Sequence, residues 1–241
     1  MLLINEIYGP VKQGEGKSSG LDVMFLRLSG CNLACIWCDT PYTWNWKGTK
    51  FVHPDKFDPK AESHKMSVKE VKQALYKSAG NVKALVLSGG EPMLQQRKLI
   101  PLLQELKNDN WWIEVETNGT ISPFPEFAAL LDQINCSPKT ENSGIDNPLK
   151  LRIKQQALQE IAHFKNATFK FVVQSDTDMS EIHSIMSIGE IRTEQVWLMP
   201  EGRTKKEQLL RQEQVKAIAK ENGYNFSPRL HILEFGDKRA V

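Results

Sequence analysis

The chain has 241 residues, enough for one large α/β domain or two small ones, and 31 basic against 29 acidic residues leave a net charge of +2. So even a balance argues against a nucleic-acid or anionic-membrane partner. No apolar run reaches the ~20 residues of a bilayer span, and the start at Met1-Leu-Leu-Ile-Asn-Glu6 lacks the basic and apolar regions of a signal peptide, so a cytoplasmic protein is expected.

There is no internal repeat. Short apolar runs alternate with helical patterns instead. Strands rich in β-branched and aromatic residues are predicted at 23–28, 83–87, 111–115, 133–135, 168–173 and 195–199. Between them, Ser67 and Glu70 form a capping box that opens a helix to about Ser78, with Gly80 placed to end it. Helical spacing recurs over 99–107, 127–131, 157–164 and 181–186. A second capping box, Thr204 with Glu207, opens a helix that ends at Asn222-Gly223. Strand–helix alternation means parallel pairing. Six units are too few for a closed eight-stranded barrel, so an open, incomplete parallel β/α barrel is expected. It forms one domain over residues 1–241, with 41–65 a lid or insertion loop and 203–241 a C-terminal helix and tail.

Side-chain alternation puts Arg27 on the face opposite Met24, Leu26 and Leu28. Glu114 shares a face with Glu116, and Lys170 with Gln174. Several charged groups on one face of a barrel-like sheet point to a ligand cavity. The loop 41–65 carries Tyr42, Trp44, Trp46, Phe51 and Phe57, an aromatic content suited to a packed lid or a dimer contact.

Cys31, Cys35 and Cys38 follow the first predicted strand in C-x3-C-x2-C spacing, at the end where parallel sheets place their active sites. Three thiolates can hold three irons of a cubane cluster and leave the fourth iron open. Zinc is the alternative, with His53 the nearest candidate for a fourth ligand, and spacing alone leaves both open. Ser88-Gly-Gly-Glu-Pro92 follows the second strand, Glu116-Thr-Asn-Gly119 the third and Ser137-Pro-Lys139 the fourth. Each alone could be a turn with a cap, but four successive strands ending in polar motifs are hard to explain as turns. Cys136 reads as a small buried hydrophobe. Glu91 suits an ionic or capping role at least as well as a catalytic one.

The cysteine triad followed by Gly89-Gly-Glu-Pro92 resembles the radical S-adenosylmethionine (SAM) superfamily. A narrower resemblance covers nearly the whole chain. Asn5-Glu-Ile-Tyr-Gly-Pro-Val-Lys-Gln-Gly-Glu-Gly16, Phe25-Leu-Arg-Leu-Ser-Gly-Cys31, Cys38-Asp-Thr40, Glu116-Thr-Asn-Gly119, Ser137-Pro-Lys139 and Met199-Pro-Glu-Gly202 are similar to the 7-carboxy-7-deazaguanine synthases. The resemblance implies a radical lyase for 6-carboxy-5,6,7,8-tetrahydropterin in queuosine biosynthesis, with a [4Fe-4S] cluster, SAM and Mg2+. It implies cluster ligation by Cys31, Cys35 and Cys38, and Mg2+ binding by the Thr40 hydroxyl. Lys12, Gln13, Gly14, Arg27 and Ser88 would bind substrate, with Arg27 on its carboxylate. SAM would lie among Trp37, Cys38, Asp39, Gly90, Glu116, Ser137, Pro138, Lys139, Met199, Pro200, Glu201 and Gly202. Flavodoxin or ferredoxin as electron donor and a homodimer are further implications. Ser88 stands where the family commonly has threonine and keeps the hydroxyl. His231 is expected either to face the site or to be structural, and the terminal carboxylate of Val241 is not expected to be a ligand. The alternatives are a radical activase acting on a protein and a zinc-binding interaction module.

Overall fold

The computed structural model describes residues 1–47, 56–236 and 238–240. The expectations for Phe51 and His53, and for Val241, lie outside the described residues. Nine strands form one sheet. In chain order they are β1 (Leu2–Lys12), β2 (Asp22–Leu28), β3 (His64–Met66), β4 (Ala84–Gly89), β5 (Trp112–Thr117), β6 (Gln133–Cys136), β7 (Ala167–Val173), β8 (Val196–Pro200) and β9 (Asn225–Phe226). The sheet order is β3-β1-β2-β4-β5-β6-β7-β8-β9. The six strands legible in the sequence are β2 and β4 to β8. They pair in parallel, each with the next, as an open rather than closed sheet. Beyond the expectation, β1 pairs antiparallel with β2 and β3 at one edge, and the two-residue β9 extends the other edge in parallel.

The alternation expected of each strand decides which face is wet. Met24, Leu26 and Leu28, Ile113 and Val115, Ile134 and Cys136, and Phe169, Phe171 and Val173 all enter one core under the helices. Burying such side chains contributes about 1.5–3 kcal/mol each, so the register of every strand is strongly held. The opposite residues, Arg27, Glu114, Glu116, Asn135 and Lys170, are thereby forced onto the other face.

The helices behave as their caps predict. The first box gives Val68–Ala79, with Ser67 and Glu70 reciprocally bonded and Gly80 at the end. The second gives Lys205–Asn222, ended by Gly223 in the left-handed conformation. The 127–131 segment shrinks to one turn, Pro125–Ala128, because Pro125 sets its start and only Phe127 is buried. Among the described residues, no helix is long and apolar enough to cross a membrane.

Candidate active site

The ends of the parallel strands open into a single cavity that carries most of the chemistry-bearing residues. Lys12, Gln13, Gly14, Arg27, Cys31, Cys35, Trp37, Cys38, Asp39, Thr40, Ser88, Gly90, Glu116, Ser137, Lys139 and Met199 all line it. Pro138, Pro200, Glu201 and Gly202 do not. Glu201 is turned toward Arg211, 3.4 Å away, and the Gly202 carbonyl accepts from Gln208 and Arg229. That stretch forms the layer behind the wall.

The cluster loop is held against the Gly-Gly turn by a very close backbone approach. A side chain on Gly90 would place its Cβ 2.0 Å from the Gly30 carbonyl oxygen, so only glycine fits. Glu91 donates its backbone N–H to that same carbonyl at 2.8 Å. Its buried carboxylate accepts from the Met93 N–H (2.9 Å), the Thr117 hydroxyl (2.8 Å) and the Asn118 N–H (2.7 Å). Glu91 is thus a clamp between two strand ends, in the capping role.

The three thiols are reduced and partly or fully buried. Burial pushes all three above the usual thiol range. Neighbouring N–H groups aim at each sulfur: Leu33 N at Cys31 (3.4 Å), Asn147 Nδ2 at Cys35 (3.5 Å) and Trp44 Nε1 at Cys38 (3.3 Å). Donors of this kind are what sulfur ligands of an iron–sulfur centre receive, and the cluster's positive charge would hold the buried thiols as thiolates. The residues fit a cluster.

Arg27, 9% exposed, donates through Nε to Glu6 (2.6 Å) and through Nη2 to the Tyr8 hydroxyl (2.6 Å). Among the described residues no acceptor holds its Nη1. Thr40 places its hydroxyl 3.6 Å from the Cys38 sulfur. Ser88 donates to Glu116 at 3.4 Å.

The polar floor joins Lys170, which the strand pattern places on this face, to residues that the pattern does not single out. Lys170 bridges Glu15 and Glu116, both at 2.9 Å. Gln13 is less free than expected. Its Nε2 donates to Glu114 (2.7 Å) and Glu116 (3.3 Å), and its carbonyl accepts from the Glu15 N–H (3.3 Å) with one lone pair left over. Arg229 bonds Glu15 at 2.9 Å and also pairs with Asp39. His231 lines the cavity as well, and its Nε2 is 3.9 Å from both carboxylates. Glu15, Asp39 and His231 are close enough to suggest a metal site. Arg229 already supplies the charge they require. Glu15 and Arg229 were not legible as site residues, because their partnerships form only when distant segments meet.

Glu114 is fully buried and accepts from Ser18 at 2.5 Å as well as from Gln13. Burial first, and then the charge of Glu116, push its carboxyl up to about 7. A raised carboxyl pKa means that the folded state holds an extra proton above the unfolded value of ~4.3. Its contribution is therefore full below ~4.3 and is lost as pH rises toward 7, by up to about 3 kcal/mol. Glu114→Gln is expected to flatten the stability profile over that window. Urea denaturation at about pH 5 and about pH 8 checks it, and an unchanged slope would count against the assignment.

Comparison with known proteins agrees with the class that this site defines. The profile of the Radical SAM superfamily matches residues 26–175. The chain is 34% identical to a 7-carboxy-7-deazaguanine synthase of Halobacterium salinarum, over 98% of this chain and 91% of that one. It is 31% identical to the protein of that name from Rhodopirellula baltica, over 100% and 89%. The crystal structure of QueE from Escherichia coli superposes with a TM-score of 0.69 at 20% identity, covering 95% and 94%, which shows the shared fold. The chain belongs to the radical SAM superfamily, whose members use a [4Fe-4S] cluster and SAM. Within it, the chain belongs to the 7-carboxy-7-deazaguanine synthase family.

Proposed function

We propose that the chain is a Mg2+-dependent enzyme that converts 6-carboxy-5,6,7,8-tetrahydropterin to 7-carboxy-7-deazaguanine with loss of ammonia, on the route to queuosine. The observation that carries this reading is a three-thiol cluster site and a buried guanidinium in one cavity, in a chain similar along its whole length to proteins of that name. When bound, the cluster and SAM supply a 5′-deoxyadenosyl radical that abstracts hydrogen. The protein's part is to bind, orient and exclude water.

Arg27 takes the substrate carboxylate with the guanidinium donors that Glu6 and Tyr8 leave over. Lys12 and Gly14 line the pterin end, and Gln13, its amide nitrogen tied down by Glu114 and Glu116, accepts a ring N–H through its carbonyl. Ser88 places its hydroxyl against the substrate. Thr40 would hold Mg2+ through its hydroxyl oxygen, a hard ligand suited to a hard cation. Trp37, Cys38, Asp39, Gly90, Ser137, Lys139 and Met199 surround SAM, and Glu116 accepts from its ribose hydroxyls. Pro138, Pro200, Glu201 and Gly202 support that wall from behind. The described parts of the loop 41–65 and of the tail act as a cover: Tyr42 and Trp44 line the cavity, and Arg239 lies 3.8 Å over the Tyr42 ring while bonding Glu62. Flavodoxin or ferredoxin delivers the electron, and the enzyme works as a cytoplasmic homodimer, which light scattering tests.

Arg27→Lys is expected to raise KM about 10- to 100-fold with a smaller effect on kcat, because an ammonium cannot hold Glu6, Tyr8 and a carboxylate at once. Steady-state kinetics checks this, and an unchanged KM would remove Arg27 from the substrate site. The decisive experiment is anaerobic reconstitution with SAM, reductant and carboxytetrahydropterin, followed by mass spectrometry. The deazaguanine and 5′-deoxyadenosine are expected. Formation of 5′-deoxyadenosine only with some other substrate would refute the reading.

A further inference from the structure

An iron–sulfur cluster that cleaves SAM must be reduced from outside. On the cavity side, substrate, SAM and the tail residues Gly236, Lys238 and Ala240 stand in the way. Another side of the cluster loop is bonded to the segment 139–154. The two are bonded repeatedly. Ala34 N–H donates to Asn147 Oδ1 (2.8 Å), Ile36 N–H to the Ser143 carbonyl (3.0 Å) and the Trp37 indole to the Asn142 carbonyl (2.9 Å). The Asn147 amide in turn donates to the Cys35 sulfur at 3.5 Å. One hydrogen bond therefore separates a cluster ligand from the backbone of this segment.

The segment has a buried, hydrogen-bonded inner side and an apolar outer one. Ser143, Asn147 and Arg152 are buried, and Arg152 ties the loop together through the Asn147 and Lys139 carbonyls and Glu181. Outward, Ile145 is 84% exposed, Leu149 57% and Leu151 42%. Single exposed apolar residues are ordinary, but three within seven residues, on a segment bonded to the loop of a redox centre, mark an interaction surface. Of the four basic side chains in residues 139–154, Lys139 lines the cavity and Arg152 is buried against Glu181, so the outward basic groups are Lys150 and Lys154, beside Leu149 and Leu151; Glu141 is exposed at the start of the segment and Asp146 is half-buried next to Ile145.

We propose that this surface, Ile145, Leu149 and Leu151 with Lys150 and Lys154, is where an acidic flavodoxin docks to reduce the cluster. The inference rests on the radical SAM reading and gives its electron donor a place on the molecule. An apolar centre with a basic rim complements the exposed dimethylbenzene edge of a flavin set among carboxylates. Small, wet, salt-sensitive contacts are typical of electron-transfer partners.

The test compares two reductants on the reconstituted holoenzyme, following 5′-deoxyadenosine formation. One arm uses an acidic flavodoxin with its reductase, the other dithionite, which needs no docking surface. The variants are Ile145→Asp and the double substitution Lys150→Glu with Lys154→Glu. The flavodoxin-supported rate is expected to fall about tenfold or more, the dithionite-supported rate to be unchanged, and the wild-type flavodoxin rate to drop with salt. Equal flavodoxin-supported rates in variants and wild type would overturn the proposal, as would a parallel loss with both reductants. A shift in oligomeric state at an undiminished flavodoxin rate would overturn it in favour of a second copy of the chain. No 5′-deoxyadenosine from wild type with dithionite would instead sink the radical SAM reading itself, so the two failures are distinguishable.

Discussion

Cys35→Ala is expected to leave the protein folded but unable to retain its cluster, and to lower SAM cleavage and product formation to assay background. On the proposed reading each of the three cysteines would supply one iron ligand, and the set has no spare: among the described residues the remaining cysteine, Cys136, is packed in the core. The alternative explanation of lost activity is lost stability, and the size of the change separates the two. Removing one mostly buried sulfur costs about 1–2 kcal/mol through its cavity, too little to unfold a domain of this size. Cys136→Ala is the control, with a similar small loss of stability but retention of iron and turnover. Iron and sulfide content, the visible absorbance of the cluster and the thermal midpoint of the apo-protein together make the measurement. A Cys35→Ala protein with full iron content would remove this residue from the cluster site.

The contrast between Cys35 and Cys136 also shows why much of the molecule was legible in advance. Cys136 ends β6 and Cys35 lies in the loop after β2, and only Cys35 belongs to a spacing with chemical meaning. The six central strands could be read because burial on one face leaves a period-two pattern. The same alternation put Arg27, Glu116 and Lys170 on the cavity face. The strand β1 was missed, because register shifts between Ile4 and Glu6 and between Tyr8 and Val11 break its alternation. The strands β3 and β9, of three and two residues, are too short to carry a pattern. Long-range polar pairing was not legible at all. Arg229 meets Asp39 across 190 positions and Glu15 across 214, and Gln13 meets Glu114 across 101. No local pattern anticipates such partners. For the same reason Gln13 could be recognised as a site residue, whereas the fate of its amide nitrogen could not.

Arg229→Met is expected to be the most destabilising single change at the site, by about 3–5 kcal/mol near neutral pH, because it strips a buried cation from two carboxylates. The side chain is 8% exposed, bonds Glu15 and Asp39 and donates to the Gly202 carbonyl at 3.1 Å. It thereby ties the loop after β1, the cluster loop and the C-terminal segment to one point. Burial alone would raise the Glu15 carboxyl, but Lys170 and Arg229 outweigh it and hold it well below the usual range. A depressed carboxyl stabilises the fold above the unfolded pKa of ~4.3, and that contribution is lost as pH falls toward the folded value. The gap between variant and wild type should therefore be full near pH 7 and shrink at acid pH, as the carboxylates left unpaired in the variant take up protons. Arg229→Lys keeps the charge but cannot reach both carboxylates with a fork, so an intermediate loss is expected. Denaturant midpoints on the apo-protein measure this without interference from cluster loading. A loss below about 1 kcal/mol for Arg229→Met would show that Lys170 and water already satisfy the two acids, and that Arg229 adds little to the fold.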